Sequence, residues 1–379
     1  MRFQLTGELE MTRSVVREFA ENEVALQAGQ RDEEEQFDRK LFAKIGELGL
    51  AGIPIPEQDG GAGSDFLTYA VVLEELSRVC ASIAAVVASH TAYCAWPLFK
   101  FGHPQLKLGA LAALAGGRKL GAFGSLDARI DNAVGAARMT SRVKGNDFVL
   151  NGSQPFVMNA GAADYYMIFA HSAGERRTSG FSAFLVESGL PGLKIGEKAM
   201  KLGLRSMLTA EIIFEECEVP YSCRVGKAGQ GQEIAKAMYD IGQIGAAAQA
   251  VGIAQGALEA ATGYAKERKQ FSKPIGRQQG ISFKLADMSA KIEAARLLAY
   301  QASWRMNEGL ICGKEAAMAR KYAADTAVSV TIDAVQVFGG YGYMREYRME
   351  RYLRDAKCLE TDIGTGGMNT DIIFRILAE

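Results

Sequence analysis

Arg268, Gln270 and Phe271 set a fixed cation, an amide and an aromatic edge on one short segment of the chain. Farther on, Gly339 and Gly340 stand side by side, and neither carries a Cβ, so the backbone there can approach a ligand closely. A cation, close backbone donors and a stacking face are what an anionic ligand joined to a flat apolar ring requires. Taken alone, Arg268 reads equally well as half of a surface salt bridge and Phe271 as a core aromatic. Metal chemistry has weaker support. The six cysteines (Cys80, Cys94, Cys217, Cys223, Cys312, Cys358) form no C-x-x-C pair, and His90, His103 and His171 are far apart. These read as buried free thiols in a reducing compartment, with no metal site. A net charge of -1 leaves no basic excess for nucleic acid or an anionic membrane.

Three regions of different period must position these groups. Residues 1–120 are helical in spacing, with Met11, Val15, Val16 and Phe19 recurring at three- and four-residue steps. The segment 54–63, PIPEQDGGAG, interrupts them as an irregular loop. Residues 121–225 turn to short β-branched and aromatic runs, at 148–150, 165–170, 184–187 and 211–214, which predicts a β-domain of about seven or eight strands. Residues 226–379 return to long helices: Leu285, Met288, Ile292, Ala295 and Leu298 make one apolar face, and the Ala/Gly-rich stretch 246–265 predicts packing on several sides. The class is α+β, with a β-domain between two helical halves. Residues 1–25 lack the apolar core of a signal peptide, and runs such as 81–89 read as too short to span a bilayer, so the expected location is cytoplasmic.

The stretches YAKERKQFSKPI (264–275), QGISFKLADM (279–288), QVFGGYGY (336–343) and ERYLRDAK (350–357) resemble the acyl-CoA dehydrogenase family, with weaker support from 150–164 and 201–220. The resemblance covers essentially the whole chain. It implies that family's fold: an N-terminal helical domain, a central β-domain and a C-terminal four-helix bundle. It also implies FAD as cofactor and an acyl thioester, on CoA or an acyl carrier protein, as substrate. Arg268, Gln270, Phe271, Gln336, Gly339 and Gly340 match segments that bind the FAD of a neighbouring subunit, which implies a homotetramer or homodimer. Asp240 and Gln243 lie on the helix that reads the thioester.

The sequence departs from the family around the flavin ring and the reacting carbon. The motif Arg354-Asp355-Ala356-Lys357 and the downstream Gly364-Thr365 agree in register, which puts Ile363 where the family keeps its catalytic glutamate. Some members carry the glutamate on another helix, at the position of Gly242, and the arginine beside it matches Gln243. Removing an α-proton while hydride leaves the β-carbon needs a base within hydrogen-bond reach, which isoleucine cannot be. Asp362 and Glu360 are near in sequence. Adjacent residues of an extended segment point to opposite sides, so Asp362 is a weak candidate base beside a structural role. In the flavin cradle, Leu126 replaces a threonine, Asn132 a serine, and Phe156-Val157-Met158 the family's W-I-T, while Thr365 is retained. Phe156 keeps a stacking face, and Leu126 and Met158 make the pocket more apolar.

Three readings follow. The first is a flavoenzyme acting on an acyl thioester without the ordinary base, with electron-transferring flavoprotein, a reductase or oxygen as electron partner. The second is a flavin-dependent monooxygenase, whose oxygenated flavin an apolar pocket would protect. The third is the non-catalytic subunit of a hetero-oligomer whose sister chain carries the glutamate.

Overall fold

The computed structural model describes residues 4–124, 139–172, 180–361 and 373. Helices α1 (Gly7–Phe19), α2 (Ala28–Glu34), α3 (Arg39–Glu47), α4 (Phe66–Val79), α5 (Ala81–His90) and α6 (Trp96–Phe101) come first, followed by the short turns α7 (Pro104–Leu106) and α8 (Ala112–Ala115). Their starts are written in the sequence. Thr6, Asp38 and Asp65 accept from the backbone N–H of Leu9, Leu41 and Thr68, closing the free donors of α1, α3 and α4. Helix α5 runs on through a π-helical turn at Thr91–Ala95 into α6. The resulting 21-residue helical run, Ala81–Phe101, is long and apolar enough to cross a membrane, which corrects the expectation from 81–89. Of its apolar window 83% is buried inside the protein, which makes it a core helix here.

The middle of the chain forms an eight-stranded mixed sheet among the described residues, in agreement with the expected number. Its strands are β1 (Gly121–Gly124), β2 (Met139–Lys144), β3 (Asp147–Met158), β4 (Tyr165–Ser172), β5 (Phe181–Glu187), β6 (Leu193–Lys198), β7 (Thr209–Pro220) and β8 (Arg224–Val225). The order is β6-β7-β3-β1-β4-β5-β8, with β2 pairing both β3 and β4. Most pairs are antiparallel, whereas β4 runs parallel to β1 and β2. Strand β3 breaks register with β7 between Gln154 and Val157. Pro155 has no N–H to give the ladder, so the strand bulges there. Phe156 takes a positive φ of 54°, and its side chain is exposed.

Four long helices follow: α9 (Gly231–Glu267), α10 (Gln279–Asn307), α11 (Gly313–Phe338) and α12 (Met349–Thr361), with a two-residue ribbon of β9 (Lys269–Gln270) and β10 (Lys273–Pro274) after α9. The apolar face read on α10 is the buried one, since Met288, Ile292 and Ala295 are buried in the core. Helix α9 buries Ala and Gly along most of its length, as its composition predicts.

Charged residues tie the halves together. Glu75 of α4 is buried and accepts two hydrogen bonds from Arg17 of α1 at 2.9 Å and one from Arg78 at 3.1 Å. Its neighbour Glu74 accepts from Arg296 and Tyr300 of α10, each at 2.9 Å. The family's R-D-A-K motif has a visible structural reason. Arg354 bonds Asp32 of α2 at 2.6 Å, and the buried Asp355 accepts the N–H of Leu204 at 2.7 Å, so α12 is fastened to both other domains.

Candidate active site

A cavity of about 90 Å³ opens where α5, α9, α11, α12 and the sheet meet. Its sheet wall is a cross-strand pair, Phe123 of β1 directly opposite Met158 of β3. The ring of Tyr93 stacks on Phe123 with centroids 4.8 Å apart and planes at 28°. Tyr93 reaches this place because the π-helical turn lies between α5 and α6. Ala85, Ala88 and Ala246 keep the helical walls low, and Leu359 closes the α12 side. No carboxylate or histidine lines the cavity among the described residues.

Gly242, the second position where a family glutamate could stand, faces this cavity. It is filled from the other side: a Cβ at Gly242 would overlap the hydroxyl of Tyr93. Gln243 is buried, and its amide oxygen accepts from Arg320 of α11 at 3.0 Å. Arg320 thus brings a guanidinium to Gln243 from the neighbouring helix, and it lines the cavity. Asp240 does not line it. Its carboxylate faces Gly313 at the start of α11, 3.2 Å from where a Cβ there would stand. Burial pushes its pKa up to about 6.

The second cluster lies at the far end of α9. Arg268, Gln270, Gly339 and Gly340 line one cavity of about 540 Å³, with Tyr264 and Tyr341. The guanidinium of Arg268 sits 5.8 Å from the centre of the Tyr341 ring. Gly339 ends α11 at φ 61°, ψ -137°, a conformation that side-chain-bearing residues avoid, and open space lies beside both glycines. Gln336 is exposed on the last turn of α11 and does not line this cavity. Phe271 is 91% exposed and held at φ 52°, with Ser272 at 64°. That turn, closing β9 onto β10, has positive φ at both central residues, a geometry that ordinarily selects Asn-Gly. Phe156 is likewise 56% exposed at positive φ. Two phenylalanines thus stand in solvent on strained backbone, with a cation and bare backbone near one of them. These groups fit a phosphate-bearing ligand with a flat ring, and they rule out the core-aromatic reading of Phe271.

Leu126, Asn132, Asp362, Ile363 and Thr365 lie outside the described residues. Sequence reading missed Tyr93, Phe123 and Arg320. Tyr93 and Phe123 sit in apolar runs where an aromatic residue reads as core. Arg320 is one of several cations on an amphipathic helix, and only the approach of α11 to α9 makes it a pocket residue.

Three family descriptions match in chain order: acyl-CoA dehydrogenase, N-terminal domain, over residues 6–118; middle domain, over 127–217; and C-terminal domain, over 229–378. An acyl-CoA dehydrogenase of Bacillus subtilis (strain 168) is 45% identical over 373 residues, covering 98% of each chain. The structure of butyryl-CoA dehydrogenase from Megasphaera elsdenii superposes with a TM-score of 0.95 at 37% identity, covering 100% of both chains. PigA, solved with FAD and proline, superposes at 0.92 with 29% identity, covering 100% of this chain and 99% of PigA. Matched from end to end by all three domains of one family, the chain belongs to the acyl-CoA dehydrogenases.

Proposed function

We propose that this chain is an FAD-dependent oxidoreductase that acts on an acyl thioester, carried by CoA or an acyl carrier protein, without the family's ordinary glutamate base. The observation that carries this reading is the Tyr93–Gly242 contact in a cavity whose described lining holds no carboxylate. With Ile363 at the other glutamate position, neither place where the family carries its glutamate offers a group to take an α-proton.

FAD, when bound, supplies the acceptor for the two electrons of the oxidation. The residues that would hold it are Arg268, Gln270, Phe271, Gln336, Gly339 and Gly340, serving a neighbouring protomer, and Phe156 and Met158, with Leu126, Asn132 and Thr365, on the protomer's own side. Phe156 offers a stacking face, and Met158 an apolar wall that excludes water. The exposed, strained Phe271 supports a homo-oligomer, dimer or tetramer, since its ring gains a partner only there. Asp240 and Gln243 stay candidates for thioester contacts, and Asp362 a weak one for the base. The substrate then has to reach its carbanion without a strong base. Loss of CO2 achieves this, because the electrons of the broken C–C bond remain on the α-carbon. An unusually acidic α-proton is the other route. Electron-transferring flavoprotein, a reductase or oxygen would take the electrons onward.

A second reading, the non-catalytic subunit of a hetero-oligomer, is favoured by one observation. Among the described residues the Arg268–Gly340 cluster and the Tyr93 cavity share no lining residue, so the chain can serve a neighbour's cofactor while its own pocket is idle. The absorbance spectrum of the purified protein separates the two. Flavin bands at one FAD per chain support the enzyme, whereas a colourless oligomer supports the subunit.

A further inference from the structure

Two polar atoms in the Tyr93 cavity have no partner among the described residues: the hydroxyl of Ser89 on α5 and the amide oxygen of Gln249 on α9. Ser89 is 2% exposed and Gln249 4%, so bulk water does not satisfy them. A buried polar group left unbonded loses its hydration without compensation. The two differ in what they ask for. The amide nitrogen of Gln249 donates to the Gly245 carbonyl at 3.3 Å within α9, which leaves its oxygen as the unused end. That oxygen only accepts, whereas the Ser89 hydroxyl rotates to donate or accept. The alanines beside them, Ala85, Ala88 and Ala246, offer no side-chain polar partner.

We propose that the acyl chain received by this pocket carries a hydroxyl group, which donates to the Gln249 amide oxygen and accepts from the Ser89 hydroxyl. This rests on the acyl-thioester reading above and names its substrate class. A hydroxyl both gives and takes a hydrogen bond, as this pair requires. A keto oxygen or a carboxylate has no proton to give the Gln249 oxygen. An ammonium group would lack a counter-charge, since no described lining residue is a carboxylate.

The test is calorimetric titration of the purified chain with butyryl-CoA, 3-hydroxybutyryl-CoA, 4-hydroxybutyryl-CoA and CoA alone. One of the two hydroxyacyl thioesters is expected to bind about tenfold tighter than butyryl-CoA, because a site built to bond a hydroxyl discriminates against the analogue lacking it. Gln249→Leu abolishes that preference, so that neither hydroxyacyl thioester binds it tighter than butyryl-CoA does. Ser89→Ala, which removes one atom and does not threaten the fold, reduces it. Butyryl-CoA binding as tightly as both hydroxyacyl thioesters overturns the proposal and leaves the acyl-thioester function standing. If no thioester binds better than CoA alone, that function fails, and this proposal with it.

Discussion

The hydroxyl of Tyr93 fills the space above the Cα of Gly242, so the two residues form one packed unit across α9 and the turn before α6. This turns a missing side chain into an occupied position. Introducing Gly242→Glu alone would force the carboxylate against a ring already stacked on Phe123. The expected result is a loss of about 1–3 kcal/mol in urea-unfolding stability from overpacking, with no gain of activity. In a Tyr93→Ala background the same substitution should cost little. A stable Gly242→Glu single variant would show that Tyr93 swings away freely.

Phe271 provides a second test, because its strain and its proposed ligand contact have opposite effects. Phe271→Gly relieves a positive φ that costs on the order of 1 kcal/mol or more in a residue with a side chain. The protomer should therefore lose no thermal stability, although an aromatic residue has been removed. FAD affinity should fall by about fivefold, the worth of roughly 1 kcal/mol of aromatic contact. Unchanged flavin retention would remove Phe271 from the cofactor site.

Much of this arrangement was legible in the sequence, for reasons that differ by residue. Arg268 and Gln270 are two positions apart, and Gly339 and Gly340 adjacent, so local motifs already carried each half of their cavity. The sheet announced itself through short β-branched runs, although Pro155 and its bulge were needed to explain why Phe156 leaves the ladder. Tyr93 was hidden because an apolar helix gives no sign of which aromatic faces a cavity. Arg320 was hidden for a related reason, since its bond to Gln243 depends on how two distant helices cross. Buried polar atoms without partners, such as Gln249, depend on packing and leave no trace in residue spacing.

Asp240 makes stability depend on pH. The folded protein holds its proton up to about pH 6, whereas an ordinary aspartate releases it near 3.8. The folded state therefore binds the extra proton between those values, so this group's contribution is full below 3.8 and is lost as pH rises through 6. Asp240→Asn removes the loss. Above pH 7 the variant should be more stable than the wild type by on the order of 2 kcal/mol in urea titrations, and the gap should close by about pH 4. A gap constant with pH would mean that Asp240 does not titrate in this window.

Glu75 tests how α1 is held against α4. Glu75→Ala leaves Arg17 and Arg78 without their shared buried acceptor. Arg17 is 43% exposed and Arg78 keeps Glu21 and Glu259, so the expected cost is about 1–3 kcal/mol of unfolding free energy. A loss under about 1 kcal/mol would mark the network as solvated and dispensable.

The central claim is that an intact flavin fold here lacks the group that starts ordinary dehydrogenation, and anaerobic titration with butyryl-CoA tests it most directly. Flavin absorbance of the wild-type protein should persist, whereas the Ile363→Glu variant, with a carboxylate restored at that position, should bleach at least about a hundredfold faster. Rapid bleaching of the wild-type flavin by butyryl-CoA would contradict the account.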